Sequence, residues 1–202
     1  MAIKPILFNT KMVRAILDGR KDATRRIVKG FIPDDAVWGY TAFTPKGYIS
    51  CRGTFADGYG EKFFKLPCES GDILYVRETW MDYAGLTMYK ADCDIYRLDS
   101  LNFAGFVWHP SIHMPKEAAR IWLKVTNVRV ERLQKIAPQG AWKEGARCSY
   151  LHPVPDCAGN KTAFVNIWNS TIKKSDIDRY GWDANPWVWV IEFERCEKPE
   201  GV

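Results

Sequence analysis

Two short stretches of this 202-residue chain bring together residue types that can do chemistry. The first is Gly19 to Arg26, G-R-K-D-A-T-R-R. Arg14, Arg20, Lys21, Arg25, Arg26 and Lys29 crowd one region, opposed there by Asp18 and Asp22. A local basic patch attracts phosphates whatever the global charge. The ordinary reading is a solvated face, with Arg20 and Lys21 favoured simply because cations suit a helix C-terminus. That reading leaves Arg25 and Arg26 unexplained, because they open a strand. In a strand Thr24 and Arg26 share one face, and Lys21 joins them only if residues 20–24 turn. The second stretch ends in Glu144, in the last turn of a helical segment, where the helix dipole disfavours a carboxylate. A residue placed against local preference is a functional hint, set against an ordinary solvated glutamate.

The elements around these residues follow from periodicity and punctuation. Ile3 to Phe8 reads as a first strand, and Asn9 and Thr10 can cap a helix. Met12, Val13, Ile16 and Leu17 have helical spacing, with Gly19 as the stop. Thr24 to Val28 reads as a strand. Residues 31–66, rich in Gly, Pro and aromatics, read as a long insertion with a hairpin around Tyr48 to Arg52. Gly71-Asp72 is a turn before a strand at Ile73 to Arg77, and Thr87 to Ile95 reads as another. Trp108 to Pro115 carries too much proline for regular structure.

Arg120 to Arg132 is the longest strand pattern. Ile121, Leu123 and Val125 share one parity, and Val128 and Val130 the other, which predicts a bulge near Thr126 and Asn127. Pro138 to Glu144 reads as a helix stopped by Gly145. Lys161 to Ile172 reads as a helix with Phe164, Ile167, Trp168 and Ile172 as its stripe. Trp187 to Phe193 is apolar on both faces and predicts a central buried strand. Beyond Glu197 the pattern is that of a frayed tail. Many strands with few, separated helices predict an α+β fold around a small curved sheet or barrel.

Composition sets outer limits. At 47% hydrophobic and 26% charged residues the chain can build a full core, which excludes a disordered or stapled miniprotein class. No apolar run approaches the roughly 20 residues of a bilayer span, and no signal-peptide layout opens the chain, so a cytoplasmic protein is expected. Net charge is +5, which permits a nucleic-acid partner without demanding one. None of the six cysteines forms a C-x-x-C pair, and reduced thiols are expected. Cys148, His152 and Cys157 lie close, but their spacing matches no standard metal site, so no metal or other cofactor is called for.

Five blocks together resemble a known family. G-R-K-x-x-T-x-R follows a short helix. G-D-x-L-x-V-R-E-T-W spans Gly71 to Trp80. A-x-x-E-G closes the helix at Ala141 to Gly145. S-I-H-M-P lies at Ser111 to Pro115, and N-P-W-V-W-V-I-E-F at Asn185 to Phe193. Their order is similar to that of ASCH domains, in the long version carried by bacteriophages and prophages. The resemblance implies a PUA-like α+β fold, a small bent β-barrel with flanking helices, here one domain over 1–196 with insertions near 31–66, 80–115 and 146–180. It implies a cleft that binds RNA or a modified pyrimidine nucleoside or nucleotide. Some compact relatives are amidohydrolases that convert N4-acetylcytidine to cytidine and acetate with a lysine, a threonine and a glutamate. By motif these correspond to Lys21, Thr24 and Glu144, with Glu131 a competitor for the last. If phage-encoded, the protein would work in the host cytoplasm, and a phage–host protein-interaction role is a third reading.

The chemistry of that trio is coherent. A threonine hydroxyl needs a base within hydrogen-bond reach. A lysine serves only if burial lowers its pKa, and a neighbouring carboxylate acts oppositely. In one scheme Lys21 is neutral and activates Thr24, with Glu144 positioning a proton or water. In the other Lys21 stays charged and stabilises an oxyanion while Glu144 is the base. Arg20, Arg25, Arg26 and Arg77 are candidate ligand-binding cations, Arg26 for a phosphate or developing charge. Trp80 and Trp142 are candidate stacking surfaces, and His113 a loop acid or base. Each also has a plain structural reading as core, turn or ion-pair residue.

Overall fold

In the computed structural model, which describes residues 1–56, 58, 60–83, 85–93, 101, 105–150 and 152–201, the first apolar run forms strand β1 (Ile3–Leu7). Helix α1 (Thr10–Leu17) follows, capped by the Asn9 side-chain oxygen, which accepts from the Met12 N–H at 2.9 Å. Val13 and Ile16 bury its inner face. Gly19, at φ +67°, lets the chain reverse, and the Arg20 and Lys21 amides both donate to the Ala15 carbonyl at 2.8 and 3.0 Å. Strand β2 (Ala23–Ile27) leaves from this elbow.

The weakly periodic stretch after β2 holds a three-stranded antiparallel sheet, β3 (Val37–Gly39), β4 (Tyr48–Arg52) and β5 (Glu61–Lys65). Trp38 pins it to the main sheet, its ring 5.1, 5.7 and 6.2 Å from those of Phe64, Trp187 and Trp189. Strand β6 (Ile73–Arg77) is followed by a hairpin of β7 (Trp80–Tyr83) and β8 (Leu86–Tyr89). The strand expected over Thr87 to Ile95 thus ends early, in a 3-10 turn at Lys90–Asp92, and its last two positions lie outside the described residues. The proline-rich 108–115 segment is irregular apart from one 3-10 turn, Ser111–His113. Then come β9 (Trp122–Arg132), α2 (Pro138–Lys143), α3 (Gly159–Thr171), the single turn α4 (Ile177–Tyr180) and β10 (Trp187–Cys196).

The main sheet has the order β1-β6-β9-β10-β2, parallel between β1 and β6 and antiparallel elsewhere. β10 is paired on both edges and packed over on both faces, and the latter explains its apolar character on both. Glu192 pairs with Asn127 and Phe193 with Val125, so Thr126 is the unpaired bulge residue where the strand changes phase. Val188 and Val190 pack with Phe164 and Trp168 on one side; Trp189, Ile191 and Phe193 pack with Phe8, Val13 and Ile16 on the other. Each such large side chain contributes about 1.5–3 kcal/mol by burial.

The α+β class holds, but among the described residues the strands do not close into a hydrogen-bonded barrel. The edges β1 and β2 are joined by α1, not paired. A cavity of about 240 Å³ lined by Leu7, Cys68, Leu74 and Ile191 fills the gap, and Arg26 bridges it by donating from Nη2 to the Leu7 carbonyl at 2.7 Å. Cys51, Cys68, Cys148, Cys157 and Cys196 are free thiols. Among the described residues no helix is long and apolar enough to cross a membrane, and no group of three metal-type ligands forms.

The turn before β6 is tied by Asp72. Burial opposes its ionisation, but it accepts from Lys4 Nζ at 2.9 Å, the Ala2 amide at 2.7 Å and the Glu69 amide at 3.0 Å, and these hold its carboxyl below the ordinary value. A carboxyl whose folded pKa is depressed contributes stability above its unfolded pKa and loses it as pH falls through the folded one. Asp72→Asn is therefore expected to cost about 1–3 kcal/mol at pH 7 in denaturant titrations. The difference from wild type should shrink below about pH 4; a pH-independent difference would contradict this account.

Candidate functional site

The elbow and the end of α2 are zipped together by backbone. The Asp22 amide donates to the Lys143 carbonyl at 2.9 Å. Glu144 is the C-cap residue of α2, and Gly145 follows at φ +85°. A Cβ on Gly145 would stand 3.1 Å from the Ala15 Cβ and 3.4 Å from the Lys21 Cβ, so only glycine lets α2 end against α1. The A-x-x-E-G pattern is thus what delivers Glu144 to Lys21, 123 positions away.

The Lys21 side chain has no exposure and points inward. Its Nζ donates to the Glu144 Oε2 at 2.6 Å, the Ala23 carbonyl at 2.7 Å and the Glu144 carbonyl at 3.1 Å. Three acceptors match the three hydrogens of an ammonium. Burial draws the Lys21 pKa below its ordinary value, and the Glu144 carboxylate acts against that shift. Lys21 Nζ and the Arg26 Cζ lie 5.7 and 5.2 Å from the centroid of the Phe8 ring, so the 20–24 turn does bring Lys21 to the Thr24–Arg26 side of the strand.

Arg25 points to the other face, with its Cζ 5.8 Å from the Phe164 ring centroid. Because β2 is an edge strand, Glu144 reaches side chains from both of its faces. Its Oε1 accepts from Arg25 Nη1 at 3.2 Å while Oε2 holds Lys21. Glu131 takes the rest of the Arg25 fork at 2.6 and 3.2 Å, and Arg129 ties Glu131 to Glu192. Gly140 leaves the room: a Cβ there would stand 3.4 Å from Arg25 Nη2. Glu131 therefore grips Arg25, and it is Glu144 that meets Lys21.

Thr24 and Glu144 line one recess of about 210 Å³, with Arg25 and Arg26 beside them and Met12, Ile167 and Trp168 as walls. The Thr24 residue is 2% exposed, and its hydroxyl makes no hydrogen bond to another described residue. A larger hollow of about 470 Å³ adjoins the recess, sharing Asn9, Met12, Glu144 and Ile167 with it, and carries Arg20. Lys21 lines neither space; it stands behind Glu144.

The other candidates lie elsewhere. Arg77 pairs with Leu7 across β1–β6, and its Nη1 donates to the Ile112 carbonyl at 3.2 Å. Trp80 stacks near His109, at 5.1 Å between centroids, and His113 is exposed on the same 109–113 segment. Trp142 sits under Arg147, whose Cζ is 3.3 Å from the ring centroid. None of these four lines either part of the cleft. Conversely, the cleft uses Asn9, Met12 and Ile167, expected from the sequence as cap and core, together with Asn166, Ser170 and Thr171, which were not singled out from the sequence. The available signal was the i, i+4 pairing of Asn166 with Ser170 and Ile167 with Thr171, a second helix face beside the Phe164–Trp168 stripe.

No protein-family model matches the chain, and no curated protein matches it in sequence. Among solved structures it is similar to the crystal structure of an ASCH domain from Lactobacillus crispatus JV V101, with a TM-score of 0.42 and 10% identity, over 96% of this chain and 79% of that one.

Proposed function

We propose that the cleft between α1 and α3 binds a modified pyrimidine nucleoside or nucleotide, free or as a residue of RNA. The observation that carries this reading is the make-up of the 210 Å³ recess: apolar walls at Met12, Ile167 and Trp168 over a polar floor of Thr24, Arg26 and Glu144. A pyrimidine has apolar faces and a hydrogen-bonding edge, and such rings are recognised by packing on the faces and polar groups at the edge. The motif resemblance supports the same ligand class. Calorimetric titration with cytidine and N4-acetylcytidine tests it. Saturable binding of either that weakens in Trp168→Ala is the expected result; no binding of either at about 1 mM, a very weak affinity, sinks the reading.

A second reading is favoured by one feature: the Thr24 hydroxyl, with no hydrogen bond to another described residue, shares its recess with Glu144 of the buried lysine–glutamate pair. In it the cleft hydrolyses an N4-acyl amide. Glu144 takes the proton from Thr24 or from water, the freed oxygen attacks the acyl carbonyl, and the C–N bond breaks. The proton goes to the departing cytosine amine. With Thr24 as nucleophile, water then releases the acid from the acyl-threonine. The three acceptors around Lys21 Nζ favour its charged form. That supports the charged-lysine scheme in its choice of Glu144 as the base; because Lys21 lines neither space, its part here is to hold the Glu144 carboxylate and not to stabilise an oxyanion. Release of cytidine from N4-acetylcytidine, followed by absorbance, separates hydrolysis from binding alone.

A further inference from the structure

The larger hollow carries cations that the recess it adjoins does not. Its rim carries Lys11, Arg14 and Arg20. Lys11 is exposed and forms no ion pair with a described residue. Arg14 is anchored by backbone instead of by a carboxylate: Nε donates to the Ala91 carbonyl at 2.8 Å and Nη2 to the Cys93 carbonyl at 2.6 Å. Its charge is fixed in place, and no carboxylate among the described residues pairs with it. Arg20 shares its charge with Asp18, at 2.7 Å. The acidic lining residue, Glu144, is already held by Lys21 and Arg25. Asn9, Asn166 and Ser170 add neutral polar groups. The hollow thus has largely apolar walls at Met12, Ala15 and Ile167 under a rim with excess positive charge, and it adjoins the base-sized recess through their shared residues.

We propose that this chamber is a phosphate site, so that the ligand of the cleft is a pyrimidine nucleotide carrying a phosphoryl group, not a free nucleoside. The proposal rests on the pyrimidine reading above for the content of the inner recess. Anchored arginine and mobile lysine are complementary phosphate partners, one giving geometry and the other charge. The same chemistry serves a phosphomonoester or the phosphodiester of a short RNA, and the test distinguishes them.

The experiment compares dissociation constants of the full chain for cytidine, cytidine 5′-monophosphate, the dinucleotide CpC and ribose 5-phosphate, at low and high salt. The nucleotide is expected to bind at least about tenfold more tightly than cytidine at low salt, with the advantage shrinking as salt screens it. Lys11→Glu and Arg20→Glu should each bring the ratio toward one, while Lys46→Glu, the same charge change on another surface, should not. Tighter binding of CpC than of the monophosphate assigns the site to RNA. Equal binding of cytidine and its monophosphate overturns the phosphate site and leaves the pyrimidine reading standing. Ribose 5-phosphate binding as tightly as the nucleotide, and lost in Lys11→Glu, sustains the phosphate site and sinks the pyrimidine reading. No binding of any of the four overturns both.

Discussion

Glu144→Leu is expected to destabilise the protein by about 3–5 kcal/mol at pH 7, the cost of removing one partner from a buried ion pair. Lys21 would remain fully enclosed with two carbonyls and no carboxylate. The penalty should depend on pH. Burial already lowers the Lys21 pKa, and Glu144 opposes that shift, so its loss lowers the pKa further. The unfolded chain then binds the Lys21 proton over a pH range in which the folded variant does not, and stability rises with pH wherever the unfolded state holds more protons. The cost of Glu144→Leu should therefore shrink between pH 7 and pH 9 in denaturant titrations, as the buried amine sheds its charge. Adding Lys21→Met should recover much of the loss, because two apolar groups of matching size tolerate burial better than one unpaired ion. A cost that is small and unchanged across that pH range would show that the pair does not hold the elbow to α2.

Thr24→Val is expected to separate chemistry from folding. The substitution keeps shape and removes a hydroxyl that forms no hydrogen bond to another described residue, so stability should change by less than about 1 kcal/mol. On the hydrolytic reading, cytidine release from N4-acetylcytidine should fall at least about a hundredfold in kcat, with KM little changed, because a group that acts mainly in the transition state is lost. Thr24→Ser, which restores the hydroxyl, should recover much of the rate. Turnover of Thr24→Val within a fewfold of wild type would remove Thr24 from the reaction and leave water as the attacking group.

Much of the local structure could be read from residue pattern because it depends on neighbours in the chain. Asn9 caps α1 through an amide three residues on. The parity change in 121–130 appears as the Thr126 bulge. The doubly apolar Trp187 to Phe193 run is buried on both faces because Val188 and Val190 pack into one cluster and Trp189, Ile191 and Phe193 into another. The basic elbow and Glu144 were both legible as candidates, the one from crowding and the other from its unfavourable place at a helix end.

What the chain could not disclose by itself was which charges cancel. Arg25 and Arg26 are adjacent and alike in sequence, yet they face opposite sides of an edge strand. Both border the recess, but Arg25 is spent on Glu131 and Glu144, while Arg26 donates to the Leu7 carbonyl. Lys21 and Thr24 were paired by motif, but only packing placed the lysine behind Glu144 and the threonine in front of it. The wall supplied by α3 was equally hidden, since Asn166, Ser170 and Thr171 look like solvated helix positions until α1 is set opposite them. The period and punctuation of the longer elements were written in the amino-acid order, because caps, turns and side-chain alternation act over a few residues; the short strands β3 and β7 were not. The cleft itself, its open edge and its surplus charge were settled by the tertiary fold, because ion pairing and enclosure depend on distances between residues more than a hundred positions apart.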